Sequence, residues 1–197
     1  MASYTLDTPL DEKTMRSLHV GDLVTINGHI FGMRDKTLIY SFDQGHEIPI
    51  SVDGFPVLHT APSLKKVGDK WEKIVIGTTT STRMDRFTPG LCEKYGVRAI
   101  IGKSGLYQGS LDAMARFGAC YFAIVGGAAS LETTQIEEVE EVIWEHLHPE
   151  AIYKLRVKNF GPLIVAMDSH GKNLYADVRA KVQGRLPEIY KKCGITE

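Results

Sequence analysis

The residues best suited to chemistry lie in one short stretch, GTTTSTRMD, at positions 77–85. It combines consecutive hydroxyl side chains with Arg83 and follows directly on the apolar run Ile74–Ile76, which predicts a strand. Ligands of α/β proteins bind at the C-terminal ends of strands, where hydroxyls, backbone N–H groups and an arginine fork suit a carboxylate or phosphate. The stretch therefore predicts a small-anion site. The alternative is that Thr and Ser cap a helix and Arg83 lies on its surface.

Two further cations follow predicted strands in the same way. Lys103 stands in the segment GKSG at 102–105 after the strand VRAIIG, and Arg34 follows the strand GDLVTINGHIFG. We expect adjacent strand ends to bring Arg83 and Lys103 to one crevice, although Lys103 and Arg34 are also compatible with ordinary surface positions. The spacing of a P-loop is absent. Three cations and several hydroxyls without a phosphate motif favour a dicarboxylate ligand.

The elements that must position these side chains alternate along the chain. Residues 43–72 are rich in turns with short extended pieces, and from Glu72 onward the pattern is βαβαβ, with helices that end at Gly96 and Gly118. The segment 129–147 fits either a helix or a strand, and two extended pieces, IYKLRVKNF and PLIVAMD, follow it. We predict one α/β domain spanning residues 1–197. Its parts are a β-rich part at about 20–76, a βαβ part at about 77–175 and a C-terminal helix at about 177–193.

Charge and composition exclude several classes of function. The 23 basic and 24 acidic residues give a formal charge of −1, which provides neither a basic field for nucleic acid nor a polybasic membrane anchor. The N-terminus lacks the features of a secretory signal, and no apolar run reaches the ~18 residues of a membrane span, so we expect a cytoplasmic protein. The three cysteines, Cys92, Cys120 and Cys193, are too scattered for a disulfide framework or a metal-ligand cluster.

Several motifs in a fixed order resemble one protein family. They are G-D-x-V-x-x-x-G with R-D after it, G-x-T-T-S-x-R-M-D, I-I-G-K-x-G, G-G-A-A, P-E-A-I-Y-x-L-x-V and F-G-P-L-I-V-A-M-D-S-H-G-x-N-L-Y. Together they are similar to the β subunit of tartrate dehydratase and class I fumarase, and equally to the C-terminal domain of single-chain class I fumarases. The resemblance runs from about Gly21 to Tyr175. It implies an α/β domain of the swivelling β/β/α type, a mixed sheet with flanking helices.

The resemblance also implies an activity, a cofactor and a partner. Proteins of this family are hydro-lyases that interconvert a hydroxy-dicarboxylate and its dehydrated product with a four-iron four-sulfur cluster. The cluster cysteines belong to an α subunit, and an α2β2 assembly is expected. The expected reaction is dehydration of L-tartrate to oxaloacetate, with fumarate and malate next. By resemblance, Thr79 is the catalytic base. The substrate-binding residues implied in the same way are Arg34, Thr80, Ser81, Arg83 and Lys103.

These residue types suit the implied reaction on physical grounds. Removal of a proton next to a carboxylate builds an aci-carboxylate dianion, which fixed cations and N–H donors stabilise in a closed site. A threonine hydroxyl is a weak base when free, and flanking cations favour its alkoxide. The departing hydroxyl needs a Lewis acid, which an iron with an open coordination position on the partner chain would supply.

The chain departs from the family pattern inside these motifs. Thr78 replaces a usual proline, Thr82 a small residue and Ser104 a glycine, and Leu38 stands where the motif R-D-x-x-H has its histidine. The implied base and the three cations are all retained. The departures raise a second reading, in which the chain is a catalytically silent dicarboxylate-binding or assembly subunit. A third reading, an enzyme that works without a partner, requires activity from the chain alone.

Overall fold

The computed structural model describes residues 1–127 and 129–195 of the chain. The strands in this part are β1 (Ser3–Asp7), β2 (Leu23–Met33), β3 (Pro56–His59), β4 (Ser63–Val67), β5 (Lys70–Val75), β6 (Ala99–Gly102), β7 (Cys120–Ala123), β8 (Ile136–Ile143) and β9 (Ile152–Met167). The α-helices are α1 (Glu12–Arg16), α2 (Asp35–Leu38), α3 (Thr88–Tyr95), α4 (Gln108–Phe117), α5 (Ala129–Gln135) and α6 (Leu174–Lys192). A π-helix (Ile39–Asp43) and two 3-10 helices (Ser81–Phe87 and Glu145–Leu147) are also present.

The strands form one mixed sheet in the order β1-β2-β3-β6-β7-β9-β8-β5-β4. The neighbours β2, β3, β6 and β7 run parallel, whereas β9 runs antiparallel to β7 and β8. The 16-residue strand β9 also pairs with β2, so that β2, β3, β6, β7 and β9 close into a ring. Helices flank this sheet, which confirms the predicted α/β fold with a mixed sheet.

Apolar clusters cover both faces of the parallel strands. In β6, Ile101 belongs to one cluster and Ile100 to the other, as the alternation of side chains along a strand requires. The second cluster packs α3 and α4 onto the sheet through Leu91 and Met114, which are fully buried. Each such side chain contributes about 1.5–3 kcal/mol on burial. This packing holds the ends of the parallel strands in fixed relative positions.

Most of the predicted elements are present. Helices α3 and α4 end before Gly96 and Gly118, whose φ values of 65° and 64° are left-handed and favour glycine. The ambiguous segment 129–147 contains both elements that its pattern allowed, helix α5 followed by strand β8. The two extended pieces after it are one strand, β9. The last helix begins at Leu174 rather than near 177, because the Asn173 side chain accepts hydrogen bonds from the first N–H groups of the helix.

The predicted neighbour relation of two strands is wrong. Strand β5 ends just before the stretch 77–85, but it pairs with β4 and β8, while β6 lies between β3 and β7. A hydrophobic pattern identifies a strand without specifying its neighbours, so the order of strands was not determined by it. The segment of about 20–76, predicted to be β-rich, also contains α2 and the π-helix.

Helix α6 is the longest helix of the described part, and none of its residues is buried. Neither α6 nor another helix within residues 1–127 and 129–195 combines the length and the apolarity that a membrane-crossing helix needs.

Candidate anion-binding site

The candidate site lies where three neighbouring parallel strands end. Arg34 follows β2, Thr60 follows β3 and Lys103 follows β6, and the strand order places β3 between β2 and β6. In parallel sheets all carboxyl ends lie at the same edge, which is where α/β proteins bind ligands. The fold therefore presents Arg34 and Lys103 on either side of β3.

The hydroxyl-rich stretch crosses this edge. Its backbone contacts there include a bridge between Thr78 and Thr60, a 2.8 Å hydrogen bond from the Thr79 N–H to the His59 carbonyl, and a bridge between Thr80 and Lys103. The stretch thus reaches the ends of β3 and β6 although β5, which precedes it, is distant from both in the sheet. This crossing, rather than adjacent strands, brings the predicted site residues together.

Thr79 and Arg83 contact each other through their side chains. An Nη group of Arg83 donates a hydrogen bond of 3.0 Å to Thr79 Oγ1. The same guanidinium donates two hydrogen bonds of 3.1 Å to the carboxylate of Asp35, a bidentate pair that fixes its orientation. These hydrogen bonds to Asp35 also raise the pKa of Arg83. A permanently charged donor is therefore held against the hydroxyl that the family resemblance assigns as the base.

Asp35 joins the two arginines of the site. Arg34 Nε donates to Asp35 Oδ2 at 3.2 Å and lies 3.7 Å from a carboxylate oxygen of Glu150. Burial opposes ionisation of Asp35, but the hydrogen bonds from Arg83 and Arg34 outweigh it and lower its pKa. Glu150 is tied to α2 because it accepts a 2.6 Å hydrogen bond from the backbone N–H of Lys36. Neither carboxylate was predicted as a site residue, although both stand in the quoted motifs.

Lys103 is positioned by its backbone and by a glycine. Its carbonyl accepts a hydrogen bond of 2.9 Å from the N–H of Ser81, next to the bridge with Thr80. A Cβ built on Gly126 would lie 2.9 Å from Lys103 Cδ and 3.2 Å from Nζ, so the side chain runs closely along the turn at 126–127. Thr80 precedes a 3-10 helix, and its side chain makes no capping hydrogen bond. The alternative that this threonine serves as a helix cap is therefore not supported.

Ser81 takes a different position from the one predicted for a pocket-lining hydroxyl. It is fully buried, and its Oγ accepts a hydrogen bond of 3.0 Å from the hydroxyl of Tyr121. A methyl group on Gly102 would overlap Ser81 Oγ, so glycine is needed where the stretch crosses the end of β6. The buried Ser81 side chain thus fixes the stretch 77–85 where it crosses the end of β6.

A buried histidine lies within the electrostatic influence of Asp35 and Arg83. His59 is fully buried, and neither ring nitrogen has a hydrogen-bond partner among the described residues. Burial lowers the pKa of His59 to about 3, and of its charged neighbours Asp35 opposes this shift while Arg83 adds to it. The imidazole ring is therefore uncharged at neutral pH. The sequence analysis did not predict this residue, because the pattern of an apolar strand does not show whether a histidine at its end is buried.

A buried glutamate contacts the hydroxyl-rich stretch. Glu132 in α5 is only 3% exposed, and its Oε2 accepts a hydrogen bond of 3.0 Å from the hydroxyl of Thr78. Burial raises the pKa of Glu132, while the Thr78 hydrogen bond and the positive charge of Lys103 oppose this shift. Each of the three predicted cations thus has a carboxyl neighbour within the chain. These carboxyl groups belong to Asp35, Glu132 and Glu150.

Two departures from the family motifs have clear structural settings. Leu38, at the position of the missing histidine, is fully buried in the apolar cluster that packs α3 and α4. Ser104, at the position of a glycine, has a φ of 78°, a left-handed value that costs a non-glycine residue about 1–2 kcal/mol. Both changes leave the contacts of Thr79, Arg83 and Lys103 intact.

The cysteines do not fit ligation of an iron–sulfur cluster. Cys92 and Cys120 are buried, and burial raises the pKa of each thiol to about 12, whereas cluster ligands are thiolates. Cys193 is exposed beyond the end of α6. Within the described ranges, no group of three or more His, Cys, Asp or Glu residues is arranged to hold a metal ion.

Fold and site together define an α/β protein with a basic, hydroxyl-rich candidate site at the carboxyl edge of its parallel strands. Membership of a family is more specific than this description. Residues 2–178 match the family model described as Fumarase C-terminus, and the chain belongs to this family. The match confirms the resemblance that the ordered motifs indicated.

Curated relatives cover most of the chain. The L(+)-tartrate dehydratase subunit beta of Escherichia coli (strain K12) is 37% identical over 173 residues, 87% of this chain and 86% of that protein. A putative L(+)-tartrate dehydratase subunit beta of Methanocaldococcus jannaschii is 37% identical over 191 residues, which cover 94% of this chain and 97% of that protein. A putative class I fumarate hydratase of Geobacillus stearothermophilus is 40% identical over 187 residues, 94% of this chain but 36% of that protein.

Proposed function

We propose that the chain is the β subunit of an iron–sulfur hydro-lyase that dehydrates or hydrates a four-carbon dicarboxylate. L-Tartrate, converted to oxaloacetate, is the preferred substrate, and malate and fumarate are next. The names of the relatives support this reaction class. The observation that carries the proposal is the 3.0 Å hydrogen bond from Arg83 to Thr79 Oγ1, at the sheet edge where Lys103 also lies.

In this proposal Thr79 removes the proton from the carbon next to a substrate carboxylate. A hydrogen bond from a guanidinium favours the alkoxide form of the threonine, which makes it a competent base. Proton removal converts the carboxylate into an aci-carboxylate dianion, and fixed cations stabilise this dianion more strongly than the ground state. Lys103, Arg83 and Arg34 supply this charge, Thr80 lines the pocket beside Lys103, and Ser81 supports the stretch from its buried position.

The proposal assigns the iron–sulfur cluster to an α subunit, in an α2β2 assembly, because the thiols of this chain do not fit its ligation. Exposed apolar side chains in β5, after β7 and in α5 support such a partner. They are Ile74, Val125 and Leu131, which are 61%, 68% and 56% exposed. We place the subunit in the cytoplasm, in keeping with its unpaired thiols, and assign it no nucleic-acid or membrane partner.

Anaerobic co-expression with the α-type subunit of the same organism tests the proposal. The purified complex is assayed on L-tartrate, malate and fumarate, and we expect the highest kcat/KM with tartrate. A cluster-loaded complex that binds these dicarboxylates without turnover would support a silent binding or assembly subunit instead, a reading that the buried Leu38 favours. Activity of the purified chain alone, or failure of the two chains to associate, would contradict the assignment of the partner.

A further inference from the structure

The buried carboxyl group of Glu132 has a free oxygen next to the proposed substrate site. Among the residues that the structure describes, Oε1 has no hydrogen-bond partner, while Oε2 is held by the Thr78 hydroxyl at 3.0 Å. Burying a carboxyl group with an unpaired oxygen costs free energy. Such a group in a folded protein therefore calls for an explanation, and a functional role is one. The mechanism proposed above assigns no role to Glu132.

Glu132 is coupled to the site by a hydrogen bond and by charge. Through Thr78 it is linked to the segment that carries Thr79 and Thr80. It also lies within the field of Lys103, whose side chain runs along the turn before α5. Helix α5 packs against β5, β8 and β9. Among the charged groups of the described residues, Lys103 is the one whose charge lowers the pKa of Glu132.

We propose, on the basis of the function proposed above, that Glu132 is a positioning residue of the dicarboxylate site. Its carboxyl group anchors the Thr78–Thr80 segment through one oxygen and competes with the substrate carboxylate for the Lys103 ammonium group through its charge. Two carboxylates beside one ammonium group repel each other. A dicarboxylate that binds at Lys103 therefore either binds less tightly or causes Glu132 to take up a proton.

The competition predicts a direction for the effect of pH. Acidification favours the protonated form of Glu132 and removes the competing charge, so KM for the dianionic substrate should fall as the pH is lowered within the range in which the substrate stays ionised. Burial raises the pKa of Glu132 above its ordinary value, so this carboxyl group takes up a proton at a higher pH than an exposed glutamate does. Two other groups of the site do not titrate there, because the pKa of Asp35 and that of His59 are both lowered.

Two variants of the assembled complex separate the two roles. Glu132→Gln keeps an acceptor for Thr78 but loses the charge, so KM at about pH 8 should fall roughly tenfold and lose its dependence on pH, the effect of one screened unit charge. Thr78→Val removes the anchor and should lower kcat with little change in KM, because Thr79 is less well placed. Glu141→Gln, an exposed glutamate on β8, is the matched control and should change neither value.

A binding measurement on the unmodified complex needs no variant. Calorimetry with succinate, which has no hydroxyl to lose, in two buffers of different ionisation enthalpy measures proton uptake on binding. Net uptake that disappears in Glu132→Gln supports the proposal. Two results would overturn it. One is an active complex whose KM does not depend on pH and which takes up no proton on binding, and the other is a Glu132→Gln variant whose KM is higher than that of the unmodified complex. A complex without any turnover or binding would instead contradict the proposed function itself.

Discussion

Arg83 holds Asp35 with two hydrogen bonds of 3.1 Å while it donates a third, of 3.0 Å, to Thr79 Oγ1. The guanidinium therefore cannot turn away from the threonine without breaking a bidentate ion pair. A cation fixed in this way stabilises negative charge on Thr79 Oγ1 without reorganising during the reaction. The relationship explains why a hydroxyl of ordinarily low basicity is a reasonable candidate for the base.

Replacement of Thr79 tests its role directly. Thr79→Val keeps the shape of the side chain but removes the hydroxyl, so kcat of the complex should fall by about a hundredfold to ten-thousandfold with little change in KM. Thr79→Ser keeps the hydroxyl and should retain a measurable part of the activity. Steady-state kinetics on tartrate compares the three proteins. An unchanged kcat in Thr79→Val would exclude this residue as the base.

Asp35→Asn tests whether the arginines need their carboxylate. The variant loses the charge that orients Arg83 and Arg34, and we expect kcat/KM to fall roughly tenfold to a hundredfold through misplacement of the guanidinium. The matched control is Asp43→Asn, which breaks another paired Asp–Arg contact, that with the exposed Arg86. The control should retain full activity. Equal activity in both variants would show that the Asp35 pair is only a surface contact.

Two neighbouring glycines test the placement of Lys103. A Cβ on Gly126 would press on Lys103 Cδ at 2.9 Å, whereas a Cβ on Gly127 would meet no described atom within 4 Å. Because the end of a lysine side chain can move, Gly126→Ala should leave the melting temperature nearly unchanged and raise KM roughly threefold to tenfold. Gly127→Ala should leave KM as it is. Lys103→Met should raise KM further than Gly126→Ala, and the reverse order would argue against Lys103 as a substrate contact.

His59 predicts a dependence of stability on pH. Its pKa is lowered by burial from an ordinary 6.5 to about 3, so between these values the unfolded chain binds a proton that the folded chain does not. The free energy of unfolding should therefore decrease as the pH falls below about 6.5, by up to about 1.4 kcal/mol per pH unit from this residue.

His59→Leu replaces the ring with an apolar side chain and should reduce that slope. It should also unfold at an equal or higher urea concentration at neutral pH, because two unpaired buried nitrogens are removed. Urea denaturation of the full chain across the acidic range measures both effects. The same slope in both proteins would mean that His59 contributes nothing to acid unfolding.

Local patterns were sufficient for most of the elements and for the family. Periodicity indicated the apolar strands, and glycine positions indicated the ends of α3 and α4. Six ordered motifs identified the Fumarase C-terminus family. The same motifs contained Asp35 and Glu150, but nothing in their spacing showed that these carboxylates pair with the arginines. Glu132 lay in a segment whose pattern fitted both helix and strand, so its burial was not predictable.

The sequence by itself determined which residues carry charge and hydroxyl groups, most of the segments that form strands and helices, and the family to which the chain belongs. These properties depend on residue types and on spacings within a few positions. Only the tertiary structure decided that the stretch after β5 crosses the ends of β3 and β6, that Arg83 reaches Asp35, and that the charge of Lys103 acts on Glu132. Such contacts depend on strand order and on the path of loops between distant segments, and hydrophobic periodicity contains no information about either.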